Sequence, residues 1–197
     1  EKIISKHNLQ ILDFSFNEIN GGSVEIICAK RNSSYKPKTE KIKKQLLYEK
    51  RINYNSFNKF NVRIDNTKKT LNFFLSNISK QDIIAYGAST KGNIVLNHCE
   101  INNKQIKYIC DANPYKFNRY TPGSNLKIIS KKEIKQKNPK YLLVLIWSFR
   151  KEVIKQELSF LKKGGKLIFH LPIFHIIDKK NYKKFLKSDF ESLSYDL

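Results

Sequence analysis

The run Tyr141–Trp147, YLLVLIW, constrains the fold of this chain more than any other stretch. Successive side chains on a strand point to opposite faces, so a strand with one wet face must alternate apolar and polar residues. A near-continuous apolar run marks a strand buried on both faces, as in a parallel sheet covered by crossover helices. The flanking sequence supplies such partners. Between Gln81 and His170 short apolar runs alternate with helical patterns. Ile83–Tyr86 reads as a strand, Thr90–Cys99 as a helix, Ile106–Cys110 and Leu126–Ile129 as strands. Ser130 caps a helix over Lys131–Lys137 with Glu133 at its third position, and Asn138-Pro139 breaks it. After the Tyr141–Trp147 strand come a helix over Phe149–Leu161, a stop at Lys162-Lys163-Gly164-Gly165, and a strand over Lys166–His170. The order β-α-β-(β-α)-β-α-β predicts an α/β fold with a doubly wound, mainly parallel sheet.

The N-terminal third has a different character. Glu1–Asn8 reads as the last turns of a helix. Leu9–Ile19 alternates in strand fashion through Leu9, Ile11, Phe14 and Phe16, and Val24–Ala29 is a second strand after the turn Asn20-Gly21-Gly22-Ser23. An isolated hairpin buries too little to stand alone, so it must pack on something else. Lys30–Lys38 is a polar linker. Thr39–Lys50 follows as an amphipathic helix with Thr39 as its expected cap. Tyr54–Ile78 is a longer helix with an expected break near Asp65-Asn66-Thr67. The sheet is therefore preceded by a β-hairpin and a helical linker.

In doubly wound sheets, ligands bind beyond the carboxyl ends of the strands, near the point where strand order reverses. Four loops fall there: Gly87–Asn93, Asp111–Asn125, Trp147–Phe149 and His170–Pro172. The first, after Tyr86, reads Gly87-Ala88-Ser89-Thr90-Lys91-Gly92-Asn93. It keeps the outer glycines of the dinucleotide fingerprint but carries Ser89 where bare backbone lets a pyrophosphate approach. Lys91 precedes Gly92, so it is not a P-loop. The loop suits a phosphate held by backbone N–H groups, Ser89, Thr90 and Lys91, and equally suits a plain strand-to-helix turn. Asp111 stands where an acid takes ribose hydroxyls, and also where a turn would use it before Asn113-Pro114. Tyr115, Lys116, Arg119 and Tyr120 follow, a set suited to a nucleotide or sugar phosphate. Trp147 and Ser148 end the central strand, with core packing the other reading of Trp147.

The net charge of +21 points to an anionic partner, yet its lysines are scattered over every segment, including Lys41-Lys43-Lys44, Lys131-Lys132-Lys135-Lys137 and Lys179-Lys180. No single arginine-rich, aromatic-interleaved stripe is visible. The pattern reads as solvated faces of a Lys- and Asn-rich composition, with a phosphorylated small ligand as the functional alternative, ahead of nucleic acid. Cys28, Cys99 and Cys110 lack metal or disulfide spacing and read as buried free thiols of a reducing, cytoplasmic compartment. No apolar run is long enough to span a bilayer, and no metal site, nucleophile–base pair or catalytic residue is assigned. The chain starts at Glu1 and has no Met, which suggests a piece of a longer polypeptide.

Four segments together resemble the C-terminal part of bacterial sugar C-methyltransferases, enzymes that use S-adenosylmethionine (SAM) to methylate a carbon of a nucleotide-linked deoxysugar. They are Asn20-Gly21-Gly22-Ser23-Val24-Glu25, Tyr86–Asn93, Asp111–Lys116 continuing through Arg119-Tyr120-Thr121-Pro122-Gly123, and Leu145-Ile146-Trp147-Ser148. The resemblance implies a three-part parent with a zinc-binding domain, a SAM-binding domain and a Rossmann-like C-terminal domain. Residues 1–30 would close the SAM-binding domain, 31–80 would link, and 81–197 would be the Rossmann-like domain. In the parent, a proton beside the sugar's keto group is removed and the carbanion takes the SAM methyl. The zinc cysteines, SAM glycines and acid/base residues would lie upstream, so this chain alone is expected to be inactive and to hold no cofactor. Its expected partners are a nucleotide-linked sugar and the upstream SAM-binding domain of the same polypeptide, with no membrane, and with nucleic acid only as the least favoured alternative. The expected sugar-nucleotide contacts are Tyr86, Gly87, Ala88, Ser89, Thr90, Lys91, Gly92, Asn93, Asp111, Asn113, Pro114, Tyr115, Lys116, Arg119, Tyr120, Trp147 and Ser148. Two other classes stay open: a non-catalytic nucleotide-binding or regulatory module of the same fold, and a basic nucleic-acid-binding protein.

Overall fold

A computed structural model describes residues 2–188. The chain divides into two compact units, one ending at Val62 and the other beginning at Arg63. The first unit opens with a short helix α1 (Lys2–Lys6) and pairs β1 (Leu9–Asn17) with β2 (Ser23–Lys30) as an antiparallel hairpin. The strand alternation shifts phase between Ile11 and Phe14, and the register shifts between Ile11 and Asp13. A β-bulge accounts for both, because one extra residue moves every later side chain to the other face. The chain answers the bulge locally: Leu12 accepts a 2.8 Å bond from the Lys38 N–H. Asp13 pairs with Lys38 and Lys41, both at 2.6 Å. Hydrogen bonds from these lysines, with one from the Phe14 N–H, hold its carboxyl far below the ordinary range.

Helix α2 (Thr39–Glu49) begins with Lys38, not Thr39, at the capping position. The reason is that Pro37 and Lys38 carry the chain in, and the Thr39 hydroxyl turns back to the Pro37 carbonyl. Helix α3 (Tyr54–Ser76) runs unbroken through Asp65-Asn66-Thr67, against the expected break. Thr67 bonds the Arg63 carbonyl four residues back, so its hydroxyl does not compete with the helix. Asn53 starts the helix, accepting from the N–H groups of Asn55 and Ser56.

The second unit is built on six strands: β3 (Ile83–Tyr86), β4 (Tyr108–Cys110), β5 (Lys127–Ile129), β6 (Tyr141–Val144), β7 (Lys166–Phe169) and β8 (His175–Ile177). Their spatial order is β5-β4-β3-β6-β7-β8, all parallel except β8. Counted within this unit, that is the 3-2-1-4-5-6 order of doubly wound nucleotide-binding folds. Helices α4 (Thr90–His98), α5 (Lys131–Lys137), α6 (Arg150–Gln156) and α7 (Leu158–Lys162) accompany it. The strand period sorts the core into two layers. Ile83, Ala85 and Leu143 pack with Leu71, Leu75 and Leu96; Ile84, Tyr86, Leu142 and Val144 pack with Val153, Ile154 and Leu161. The doubly buried central strand is thereby explained.

Three local expectations need correction. The central strand ends at Val144, and Ile146 turns out of the sheet into a short helical turn over Trp147–Phe149. The helix expected over Phe149–Leu161 is two helices broken at Glu157, whose carboxylate is drawn to the Tyr86 hydroxyl and the Lys131 ammonium. The edge strand β8 and a helix α8 (Tyr182–Lys187) follow Pro172, where the sequence reading assigns no element. Tyr182, Phe185 and Leu186 at i, i+3 and i+4 were the available helix signal, masked by the surrounding lysines.

Cys99 and Cys110 are buried, and burial pushes their thiols up to about 11 and about 12. Neither is expected to react with a thiol reagent at pH 8 in the folded protein, whereas unfolded chain exposes all three cysteines. Mass spectrometry of native and denatured labelling checks this, and native modification of Cys110 would contradict it. No helix among the described residues is long and apolar enough to cross a membrane. Among the same residues no cluster of His, Cys, Asp and Glu could hold a metal ion.

Candidate functional site

The strand order reverses at β3, which has β4 on one side and β6 on the other. The loops leaving these three strands meet. The Gly87 N–H bonds the Cys110 carbonyl at 2.7 Å, and the Leu145 N–H bonds the Tyr86 carbonyl at 2.9 Å. Gly87 has φ +94°, and a Cβ there would lie 2.6 Å from the Ile146 side chain. Glycine is thus required twice at this position, for backbone conformation and for contact. Gly92 is held by close approach: its Cβ would sit 2.9 Å from Leu145 Cβ.

Ser89 caps α4, its hydroxyl accepting from the Gly92 N–H at 3.0 Å while its carbonyl accepts from Asn93 at 2.9 Å. Two of the donors that a phosphate cradle would offer are therefore used inside the turn. Ala88 packs into one core layer. Tyr86 packs into the other, with its hydroxyl donating to Glu157 at 2.9 Å. Burial, reinforced by the Glu157 charge, raises the Tyr86 phenol far above its ordinary value.

The Asp111–Lys116 segment is a chain of side-chain-to-backbone bonds. Asp111 accepts from the Asn113 N–H at 2.9 Å, Asn113 accepts from the Tyr115 N–H at 3.0 Å, and Pro114 opens a short helical turn. The segment folds Lys116 back so that its ammonium donates to the Ala88 carbonyl at 2.9 Å and pairs with Asp111 at 3.2 Å. Lys116 thus ties the loop after β4 to the loop after β3. Farther along, Asn97 on α4 donates to the Pro122 carbonyl at 3.1 Å, and Gly123 approaches it so closely that a Cβ would overlap the Asn97 amide.

Of the residues singled out in the sequence, the structure brings together Gly87 to Gly92, Asp111 to Lys116 and the Ile146 turn leading to Trp147 and Ser148. Asn93 serves by its carbonyl, which accepts from Asn97 at 2.8 Å. Tyr115 is exposed beside the site. Arg119 and Tyr120 are also exposed and lie toward β5, where Tyr120 bridges to Lys127. Trp147 is half-buried against the second core layer.

His170, at the carboxyl end of β7, opens the fourth carboxyl-end loop and is not one of the expected sugar-nucleotide contacts. It is only 1% exposed, and neither ring nitrogen has a hydrogen-bond partner among the described residues. Burial pushes its imidazole down to about 4, with the Val144 backbone, short of ordinary hydrogen-bond geometry, working weakly the other way. Nothing local in the sequence marks it, because its burial arises from layers distant in the chain. His175 is sandwiched between Phe169 and Phe185 at ring separations of 5.1 and 5.0 Å.

A sheet of this strand order with a cross-linked loop cluster at its switch point defines a doubly wound α/β domain. Residues 18–172 match the family described as the C-methyltransferase C-terminal domain, and the chain belongs to that family. It is similar to C-methyltransferase NovU of Streptomyces niveus, with 23% identity over 185 residues, covering 91% of this chain and 44% of that protein. The chain therefore spans less than half the length of this relative.

Proposed function

We propose that this chain is the acceptor-side domain of a SAM-dependent C-methyltransferase and binds a nucleotide-linked sugar at the carboxyl ends of β3, β4 and β6. The observation that carries this reading is the Lys116 ammonium held between the Ala88 carbonyl and the Asp111 carboxylate at the switch point. A cation fixed beside the first turn of α4 suits a diphosphate, and Lys91 and Arg119 lie on the same two loops. In this role the domain contributes binding and orientation of the sugar, which raises the rate of a step whose reacting groups lie elsewhere.

The residues here do not fit the methyl donor. Ser89 replaces the middle glycine and uses its hydroxyl on Gly92, while Asp111 is engaged by Lys116 and Asn113. The donor is assigned to the portion of the parent outside this chain. The hairpin supports that division: Phe16, Val24 and Ile26 lie in register on β1 and β2 and remain largely exposed. In this reading residues 1–30 close the preceding SAM-binding domain, 31–80 connect, and 81–197 hold the sugar nucleotide in the cytoplasm.

Calorimetric titration with nucleotide-linked sugars, SAM and NAD tests the proposal. A nucleotide-linked sugar is expected to bind and SAM is not. Lys116→Met is expected to weaken sugar-nucleotide binding about tenfold through loss of one charge-assisted contact and the loop tie. Binding of NAD alone would replace this reading with the non-catalytic nucleotide module that the strand order also accommodates.

A further inference from the structure

The fold gathers lysines that look scattered in the sequence. Every parallel strand is entered by a lysine: Lys80 ahead of β3, Lys107 immediately before β4, Lys127 opening β5, Lys140 immediately before β6 and Lys166 opening β7. The ladders bring neighbouring entries together along one edge, offset by one residue within each pair. The Lys127 N–H bonds the Lys107 carbonyl at 3.2 Å, and the Lys166 N–H bonds the Lys140 carbonyl at 2.9 Å. Strands lie about 4.8 Å apart, so the row runs roughly 19 Å along the amino-terminal edge of the sheet. This is the end opposite the carboxyl-end loops.

Within the row lies a cleft of about 410 Å3, lined by Lys80, Gln81, Asn103, Lys107, Tyr108 and Lys137 above the first residues of β3. Its lining contains no acidic side chain. Two ammonium groups converge on one ring there: Lys137 Nζ lies 4.0 Å and Lys107 Nζ 5.4 Å from the Tyr108 centroid. Burial alone would raise the Tyr108 phenol, but hydrogen bonding and charge from Lys107 and Lys137 outweigh it and hold the group below its ordinary value. The nearby acid, Asp82, is paired with Lys140 at 3.1 Å. Like charges brought together around a cleft of small-molecule size, with amide and phenol groups beside them, form a site for a multiply charged anion.

We propose that the cleft at the amino-terminal end of the sheet, formed by Lys80, Lys107, Tyr108 and Lys137, binds a small polyphosphate-bearing ligand. The dimensions of the cleft favour a small ligand over an extended polymer, and the proposal is independent of the sugar-nucleotide site.

The test titrates inorganic pyrophosphate into the 197-residue chain at fixed ionic strength, followed by calorimetry and by amide NMR shifts. The expected result is saturable binding with shifts centred on Lys107, Tyr108 and Lys137. A Lys107→Gln/Lys137→Gln double variant should bind at least about tenfold more weakly, since it removes two charge-assisted contacts. Lys43→Gln/Lys44→Gln removes the same charge from α2 and should leave affinity within about twofold. Shifts confined to Gly87–Asn93 and Asp111–Lys116, equal losses in both double variants, or binding of single-stranded oligonucleotide with none of pyrophosphate would each overturn the proposal.

Discussion

Gly87→Ala is expected to destabilise the second unit by about 3 kcal/mol, the sum of about 1–2 kcal/mol for an L-residue forced to positive φ and about 1–3 kcal/mol for overpacking. The overpacking arises because the new methyl would lie 2.6 Å from the Ile146 side chain, on a turn that cannot retreat without breaking the Leu145–Tyr86 backbone bond. Gly164 supplies the comparison. Its φ is +97° against +94° at Gly87, and nothing lies within 4 Å of its Cβ position. Gly164→Ala should therefore cost only the conformational part, about 1–2 kcal/mol. Urea unfolding of the two variants separates the terms, and equal losses would show that the contact with Ile146 contributes nothing. A lost Ile146 contact would also loosen the switch point, so sugar-nucleotide affinity should fall with Gly87→Ala and not with Gly164→Ala.

Acidification from pH 7.5 to 5 is expected to remove about 2 kcal/mol of stability through His170 alone. The imidazole titrates near 6.5 in unfolded chain and is pushed down to about 4 by burial in the fold. Between these values the unfolded state binds more protons, so stability present above pH 6.5 is lost progressively as pH falls toward 4. His175, also lowered by burial, acts in the same direction. The depressed carboxylates Asp13, Glu100 and Glu133 contribute at lower pH, because they are ionised in both states above about pH 5. His170→Leu removes the titrating group, so its stability should vary about 2 kcal/mol less across the interval. Denaturant unfolding at the two pH values measures the difference, and parallel profiles for variant and parent would exclude His170 as the source.

The buried histidine at the end of β7 also shows where local reading stops. His170 follows Lys166–Phe169, and nothing in HLP distinguishes a buried ring from an exposed one. The same holds for Tyr86, whose hydroxyl meets Glu157 across the α6–α7 break more than seventy positions away. The Asp111–Lys116 turn lies at the other extreme. Asp, Asn and Pro at two- and three-residue intervals predict a turn from local chemistry, and the structure closes it with the corresponding side-chain-to-backbone bonds.

The sequence by itself determined the alternation of strands and helices, the doubly buried central strand, the glycines and serine of the loop after β3, and membership of a C-methyltransferase C-terminal family. These follow from local periodicity, backbone limits and motif spacing, which a linear text preserves. Only the tertiary structure decided which side of β3 receives β4 and which receives β6, and that Lys116 reaches back to the Ala88 carbonyl. It also aligned lysines from five strand entries into one row. Each of these depends on contacts between residues far apart in sequence, where packing of the two core layers, and not local propensity, sets position.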